Sequence, residues 1–558
     1  MVTHINDPIS LEVFRNALSG VAEEMGEVMR RTALSPMIKE RNDRSCAVFA
    51  PDLQLVAQAE HLPIHLALLI NIVPAALAEL GKPLGPGDIC LHNDPYVGGS
   101  HLPDLTMISA VHDPSTGELL GYCAVIAHHG DIGGSTPGGV GAKVTDILQE
   151  GVVIPPLLVA GGGVVDKSVI SLIKANVRRP AEIEGDLYAQ MAALQAGSAA
   201  ISSLATEYGQ SRYLELLAQL LDYSRERAAR ALGALPAGVC EFTDVLDDDG
   251  TTGSGPLPVS VRITIGGGDM TFDFAGSASQ RRAPVNASLA VTQSAVLYAV
   301  RCLIDPSIPT TSACFESIQV LAPQGTIVHA QSPAPVAGGS LETAQRIVDV
   351  LFGALAQLLP EVIPAAGMGS HNSISIGGYD AVLNERYVLS ENLSGGGGAR
   401  PERDGLSARR VNLMNTPNNP IEVVEREIPI RIEGLALRRD SAGRGKTHGG
   451  YGIRKEYLFL EDADVTVLAD RSVHRPWGLQ GGTAGKGSRH TVIDPDGTER
   501  DLGSKFTVAV RAGTRLVAQT AGGGGFGTPT DDHNTDNHNT DNHNTDTVVG
   551  DDRNEEVR

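Results

Sequence analysis

The sequence predicts a mixed α/β (α+β) fold, with an N-terminal α/β region, a mixed middle region and a β-rich C-terminal region. Three observations lead to it. Apolar residues recur at helical spacing over residues 8–33, 64–80 and 167–233. Short runs of strand character lie between and after these segments and dominate from 427 to 527. The 64 glycines and 32 prolines among 558 residues exceed their usual share, which suits a fold rich in turns and close backbone approaches.

Leu11, Phe14, Leu18, Val21, Met25 and Met29 make one face of a helix over 8–33, which Pro36 closes. Residues 45–50 and 53–59 read as strands joined at Pro51-Asp52, and 64–80 as a helix ended by Gly81 and Pro83. Strands follow at 89–93 and 106–112, and the turn Asp113-Pro-Ser-Thr-Gly117 returns the chain through a strand at 119–128. Residues 167–233 divide into two or three helices before Pro236 and Gly238. Runs at 259–265 and 270–274 flank Gly266-Gly-Gly-Asp269 as a hairpin. Helical patterns return at 288–304 and 341–359, and strands at 428–432, 457–460, 465–470, 490–493 and 506–510. The natural divisions are 1–235, 236–426 and 427–529. Residues 530–558 form an acidic tail in which His-Asn-Thr-Asp recurs from His533, His538 and His543. Almost without apolar side chains, this tail is expected to be disordered.

Hydrophobic residues make up 42% of the chain and aromatics only 4%, so aliphatic side chains must fill the core. The net charge is −22, which argues against a nucleic-acid partner, because phosphates need a basic face. Six scattered cysteines form no Cys-x-x-Cys and read as reduced thiols of a cytoplasmic protein. The N-terminus lacks a basic start and an apolar run, and no stretch nears 18 uninterrupted apolar residues, so neither a signal peptide nor a membrane span is expected.

The potential ligands concentrate between residues 40 and 135. Seven of the sixteen histidines (His61, His65, His92, His101, His112, His128 and His129) fall within 61–129. A divalent metal that activates water needs two or three neutral imidazoles and a carboxylate, with one position left for solvent. His101 and Asp104 are separated by Leu-Pro, and Pro103 disfavours helix at Leu102, so the pair can converge across a turn. The 106–112 and 119–128 strands should pair antiparallel. If His112 faces Leu119, His128 falls opposite Pro103, beside the 101–104 segment. His101, Asp104 and His128 are therefore the candidate metal ligands. His129 should point to the other face of its strand, in a supporting or substrate-facing position, and His112 should be exposed at the hairpin end. The blocks Gly395-Gly-Gly-Gly-Ala-Arg400 and Gly522-Gly-Gly-Gly-Phe-Gly527 could cradle an anion, although turn-making is the simpler reading. No P-loop, no dinucleotide fingerprint and no Gly-x-Ser-x-Gly elbow occurs.

Several ordered blocks then carry a resemblance. They include Glu40-Arg-Asn-Asp-Arg-Ser45, Asn93-Asp-Pro-Tyr, Gly99-Ser-His-Leu-Pro-Asp104 and Ala127-His-His-Gly-Asp-Ile-Gly-Gly134. Gly185-Asp-Leu-Tyr-Ala-Gln190, Gly396-Gly-Gly-Ala-Arg400, Pro476-Trp-Gly-Leu-Gln-Gly-Gly482 and Gly522-Gly-Gly-Gly-Phe-Gly527 continue the series. With these, residues 6–528 resemble the hydantoinase B / oxoprolinase family. That family comprises the B-type subunits of N-methylhydantoinase and the related subunits of ATP-dependent lactamases and of acetone and acetophenone carboxylases.

The resemblance implies that ATP is held by a partner, the A-type subunit, which phosphorylates a carbonyl or enolate oxygen of the substrate, and that this B half completes the reaction at a metal site. A hetero-oligomer is implied, with ring opening of a small cyclic amide (a hydantoin, 5-oxoproline or a lactam) as the leading activity and ketone carboxylation as the alternative. Carried over by motif, the metal ligands are Asp43, His101, Asp104 and His128. His129 stands beside them to accept a proton, and Asp94 and Asp131 orient the site. Mixed nitrogen and oxygen ligation suits zinc, manganese or iron. An amide resists opening because its nitrogen donates into the carbonyl and leaves poorly. Phosphorylating the oxygen makes a better electrophile, and a metal lowers the pKa of bound water toward about 7.

Overall fold

The structure, a computed structural model, describes residues 7–59 and 61–529, so the predicted tail repeat lies outside the described residues. Helix α1 (Pro8–Thr32) starts where Asp7 accepts the N–H groups of Ile9 and Ser10 and Pro8 takes the first helical position. Its Leu11, Phe14, Leu18, Met25 and Met29 face is buried, as the spacing predicts. A short α2 (Pro36–Lys39) leads into β1 (Arg44–Phe49) and β2 (Leu55–Ala59), an antiparallel pair. Then come α3 (His65–Leu80), β3 (Ile89–His92), β4 (Asp104–His112), β5 (Leu119–His128), β6 (Leu157–Gly161) and β7 (Val164–Val165). Three helices follow: α4 (Lys167–Ala175), α5 (Pro180–Tyr208) and α6 (Gln210–Gly233).

The seven strands form one antiparallel sheet in the order β2-β1-β5-β4-β3-β6-β7. Alternate side chains serve opposite faces. Cys46, Val48, Met107, Val125 and Ala127 join the core that holds α1 and α5. Ala47, Phe49, Ile108, Ala124 and Ile126 join the core that holds α3. Covering both faces explains why these strands read as nearly continuous apolar runs.

The β4–β5 register differs from the expected one. His112 does pair with Leu119, but Val111 pairs with Gly121, which leaves Leu120 as a bulge. Every later pair moves by one, so His128 stands opposite Asp104 rather than Pro103. The apolar pattern cannot reveal this, because both faces are buried. Gly121 permits it, because a Cβ there would stand 2.3 Å from the Phe49 carbonyl oxygen. His112 is half-buried rather than exposed, with Nδ1 shielded from solvent.

The middle of the chain supplies β8 (Gly238–Leu246), β9 (Leu257–Gly266), β10 (Asp269–Asp273), α7 (Leu289–Arg301) and β11 (Ile318–Leu321). The predicted β9–β10 hairpin forms within a sheet of order β11-β10-β9-β8. A π-helical turn, Gly339–Thr343, runs into α8 (Ala344–Leu355). Strands β12 (Ser373–Asp380) and β13 (Glu385–Asn392) were not anticipated. After α9 (Ile421–Glu427) come β14 (Ile430–Arg438), β15 (Gly452–Phe459), β16 (Ala463–Leu468) and β17 (Arg489–Ile493). The short β18 (Glu499–Asp501), β19 (Lys505–Val510) and β20 (Arg515–Gln519) complete the series. Two sheets result, β13-β12-β16-β19 and β14-β15-β20-β17-β18, and they share a core around Ile374, Ile376, Tyr457, Phe459 and Leu516.

The glycine blocks at 395–398 and 522–525 do not make turns. Their backbones stack: a Cβ on Gly396 would stand 2.3 Å from the Gly523 nitrogen, and one on Gly523 1.9 Å from the Gly397 oxygen. Among the described residues no helix is long and apolar enough to cross a membrane.

Candidate metal centre

Asp104 opens β4 and His128 closes β5 at paired positions. By strand alternation both side chains point to the α3 face, where His65 begins that helix. His101 comes from the loop before β4, and the Asp104 N–H donates to its carbonyl at 3.1 Å, closing the predicted turn.

His101 Nε2 and His128 Nδ1 lie 3.1 Å apart, and Asp104 Oδ1 lies 3.1 Å and 3.0 Å from them. All three residues are buried. The Ser100 hydroxyl donates to Asp104 Oδ2, and His65 Nε2 is 3.9 Å from the same oxygen. The donor set fits a divalent cation. Atoms bonded to one ion at about 2.1 Å stand roughly 3.0–3.4 Å apart in octahedral or tetrahedral geometry. Among the described residues this is the one His/Cys/Asp/Glu group so arranged. His101 Nδ1, His65 Nε2 and Asp43 Oδ1 are buried nearby without hydrogen-bond partners. Burial pushes the Asp104 carboxyl up, but the His101 and His128 imidazoles outweigh it and hold the group well below its usual range. Burial likewise disfavours the His101 cation, and Asp104 reverses this and raises it. For His65 burial wins over the nearby carboxylates and pushes it down.

Asp43 lines the same cavity but stands outside the three-residue cluster, and its carbonyl accepts the His128 N–H at 3.0 Å. His129 points to the α5 face, with Nε2 3.1 Å from Gln190 Oε1. Asp94 accepts the Tyr96 N–H through its side chain and the Val97 and Gly99 N–H groups through its carbonyl, shaping the loop that presents Ser100 and His101. Asp131 pairs with Arg178 at 2.9 Å and accepts the Gly138 N–H, holding the chain after His129. These last three do not line the cavity.

The opposite wall escaped the sequence. It is built by Ser340 and Leu341 of the π-helical turn, His371, Ser373, Ser390, Asn392 and Thr416. The space enclosed is about 40 Å³, room for a few waters. Ser340 Oγ and His371 Nδ1 are buried there without partners. Glu342 Oε1 accepts the His371 N–H at 3.0 Å. Burial first, then Arg410, pushes His371 down to about 3, so its ring is neutral. No spacing in the sequence ties these residues to His101, more than 200 positions away.

The Hydantoinase B/oxoprolinase family profile matches residues 7–529. An uncharacterized protein of Methanocaldococcus jannaschii is 38% identical, covering 94% of this chain and 91% of its own. The putative B-type D-/L-hydantoinase subunit of Pseudomonas sp. (strain NS671) is 30% identical, over 94% and 90%. The 5-oxoprolinase 1 of Arabidopsis thaliana is 32% identical over 95% of this chain, which spans only 42% of that protein. The crystal structure of ATP-dependent caprolactamase from Pseudomonas jessenii superposes with a TM-score of 0.87 at 27% identity, covering 94% and 92% of the two chains. The chain belongs to the hydantoinase B/oxoprolinase family.

Proposed function

We propose that this chain is the B-type subunit of an ATP-dependent cyclic amide hydrolase, acting with an A-type subunit that binds ATP. The buried His101–Asp104–His128 group carries the reading. Relatives named as oxoprolinase, ATP-dependent caprolactamase and hydantoinase subunit support ring opening over carboxylation. The absence of a P-loop from the sequence is consistent with ATP bound on another chain.

His101 Nε2, His128 Nδ1 and Asp104 Oδ1 would hold zinc, manganese or iron, with Asp43 as the fourth protein ligand. A cation there supplies Lewis acidity and lowers the pKa of water toward about 7. Ser100 fixes the Asp104 carboxylate, Asp94 shapes the loop of His101, and Asp131 with Arg178 anchors the segment after His128. His129, tied to Gln190, packs behind the ligands and positions them. His65 Nε2 is unpartnered inside the cavity, 3.9 Å from Asp104 Oδ2, and is the group placed to take the proton that water gives up on attack. Ser340 Oγ and His371 Nδ1, facing the group from the other wall, hold the polar atoms of the ring.

Co-expression with a matching A-type subunit tests this. The wild type should carry about one metal per chain and open a hydantoin or lactam only with ATP, and His101→Ala should lose both metal and hydrolysis. Retention of metal by His101→Ala would refute the ligand assignment. ATP consumption only with a ketone and bicarbonate would replace the hydrolase with a carboxylase.

A further inference from the structure

Two arginines stand behind the far wall of the metal cavity. Arg41 is fully buried. Its Nη1 donates to the Ser390 carbonyl at 2.9 Å, its Nη2 lies 3.5 Å from Thr416 Oγ1, and its Nε has no partner. Arg410 Nη1 donates to the same Thr416 Oγ1 at 2.6 Å, and Nη2 donates to the Asn392 carbonyl at 2.5 Å and to Asn418 Oδ1 at 2.9 Å. Among the described residues neither guanidinium forms an ion pair, although Asp43 and Glu391 both act on them through space. Glu391 is already engaged by Lys455 Nζ at 2.7 and 2.8 Å and by the Tyr457 hydroxyl at 2.5 Å. Three cations thus face two carboxylates, before any metal is added. Burial, then Arg41, pushes the Arg410 guanidinium down to about 9.

A buried guanidinium without an ionic partner is costly, and a ligand that supplies the missing charge removes the cost. The groups that grip these arginines open onto the metal cavity: Ser390, Asn392 and Thr416 all line it. On its other side Arg410 lines a second cleft of about 450 Å³ together with Arg400, Arg403 and Arg409. Those three are exposed and have no ion-pair partner among the described residues, in a chain whose net charge is −22. Such a concentration of cations draws anions toward it.

We propose that Thr416, held at the wall of the metal cavity by Arg41 and Arg410 behind it, is the centre of a subsite for a phosphate-class oxyanion. The Thr416 oxygen accepts from both guanidiniums, so its own O–H is free to donate into the cavity, and two positive charges behind it suit a doubly charged phosphate better than a singly charged carboxylate. The assignment of that phosphate to a phosphorylated substrate rests on the function proposed above. The subsite itself stands on the arginine geometry.

The full chain, metal-loaded and after chelation, is titrated calorimetrically with inorganic phosphate, so that binding to the cation and binding to the subsite separate. Phosphate should bind the metal-free wild type, and Arg410→Gln should weaken it at least tenfold. Arg410→Lys, which keeps the charge but loses the fork, should fall between, and bicarbonate and acetate should bind at least tenfold more weakly than phosphate. Phenyl phosphate binding as tightly as phosphate supports an organic phosphoryl group as the occupant, whereas its exclusion overturns that source in favour of the free ion. No binding of either probe at millimolar concentration overturns the subsite. Equal binding by wild type and folded Arg410→Gln does the same, as does tighter binding of bicarbonate. Should Arg410→Gln not fold, Thr416→Val removes the hydroxyl that both guanidiniums share and carries the same expectation. None of these titrations reads ring opening, so failure of the hydrolase reading and failure of the subsite are separable.

Discussion

Asp104 and Glu342 show two opposite fates of a buried carboxyl. Asp104 stays charged because two imidazoles face it. Glu342, with Oε2 lacking a partner, is pushed up to about 8, by burial first and Asp470 second. The unfolded chain releases this proton near 4.5, and the folded chain holds it. Its stabilising contribution is therefore complete below about pH 4.5 and fades as pH rises through about 8. From pH 6 to pH 9 the wild type should lose roughly 2–3 kcal/mol from this group, and Glu342→Gln should lose that much less. Urea unfolding at the two pH values checks it, and parallel slopes would refute the protonated Glu342. At this scale the sequence exposed His101, Asp104 and His128, because metal chemistry demands those side chains and a Leu-Pro spacer keeps two of them together. Asp43 emerged only through the resemblance. Ser340, His371 and Thr416 emerged only from the structure, since nothing local marks a residue that meets its partner across more than 200 positions.

The bulge at Leu120 is the element on which the site turns. It moves the β4–β5 register by one, and a one-residue slip exchanges which side chains face α3. Gly121 permits it, as the Phe49 carbonyl oxygen leaves no room for a Cβ. Gly121→Ala is expected to cost about 2–3 kcal/mol and to lower metal content, because relieving the clash shifts Asp104 relative to His128. Thermal unfolding and elemental analysis check both effects. Unchanged metal in a destabilised variant would mean that the register is held elsewhere. The helices were the easy part, because an amphipathic stripe such as that of α1 is long and periodic. The sequence pattern does not show strands β6, β7, β11, β12, β13, β18 and β20. Gly377-Gly378 interrupts β12, β18 has three residues, and β20 lacks strict alternation.

Across the whole molecule, buried ions tie the sheets together. Arg346 of α8 reaches Asp244 of β8 at 3.2 Å, Asp349 of its own helix at 3.0 Å and Asp470 beyond β16 at 2.8 Å. Lys505 of β19 meets Asp470 at 2.8 Å, and Arg471 reaches Asp244 at 2.7 Å. Arg346→Met removes a cation from among three carboxylates, and a loss of about 3–5 kcal/mol is expected in urea unfolding. A loss below about 1 kcal/mol would show that the remaining arginine and lysine suffice. The same packing of distant segments closes the candidate metal cavity, whose two walls come from residues 37–140 and 340–416.

The sequence by itself determined the class of fold, the long helices, the β4–β5 pairing and the grouping of His101, Asp104 and His128. Each of these is written in local periodicity, or in side chains whose chemistry has few substitutes. Only the tertiary structure decided the one-residue register, the wall of Ser340 and His371, and the pair of arginines at Thr416. These depend on backbone approach and on which distant segments share a cavity, and packing between segments leaves no periodic trace along the chain.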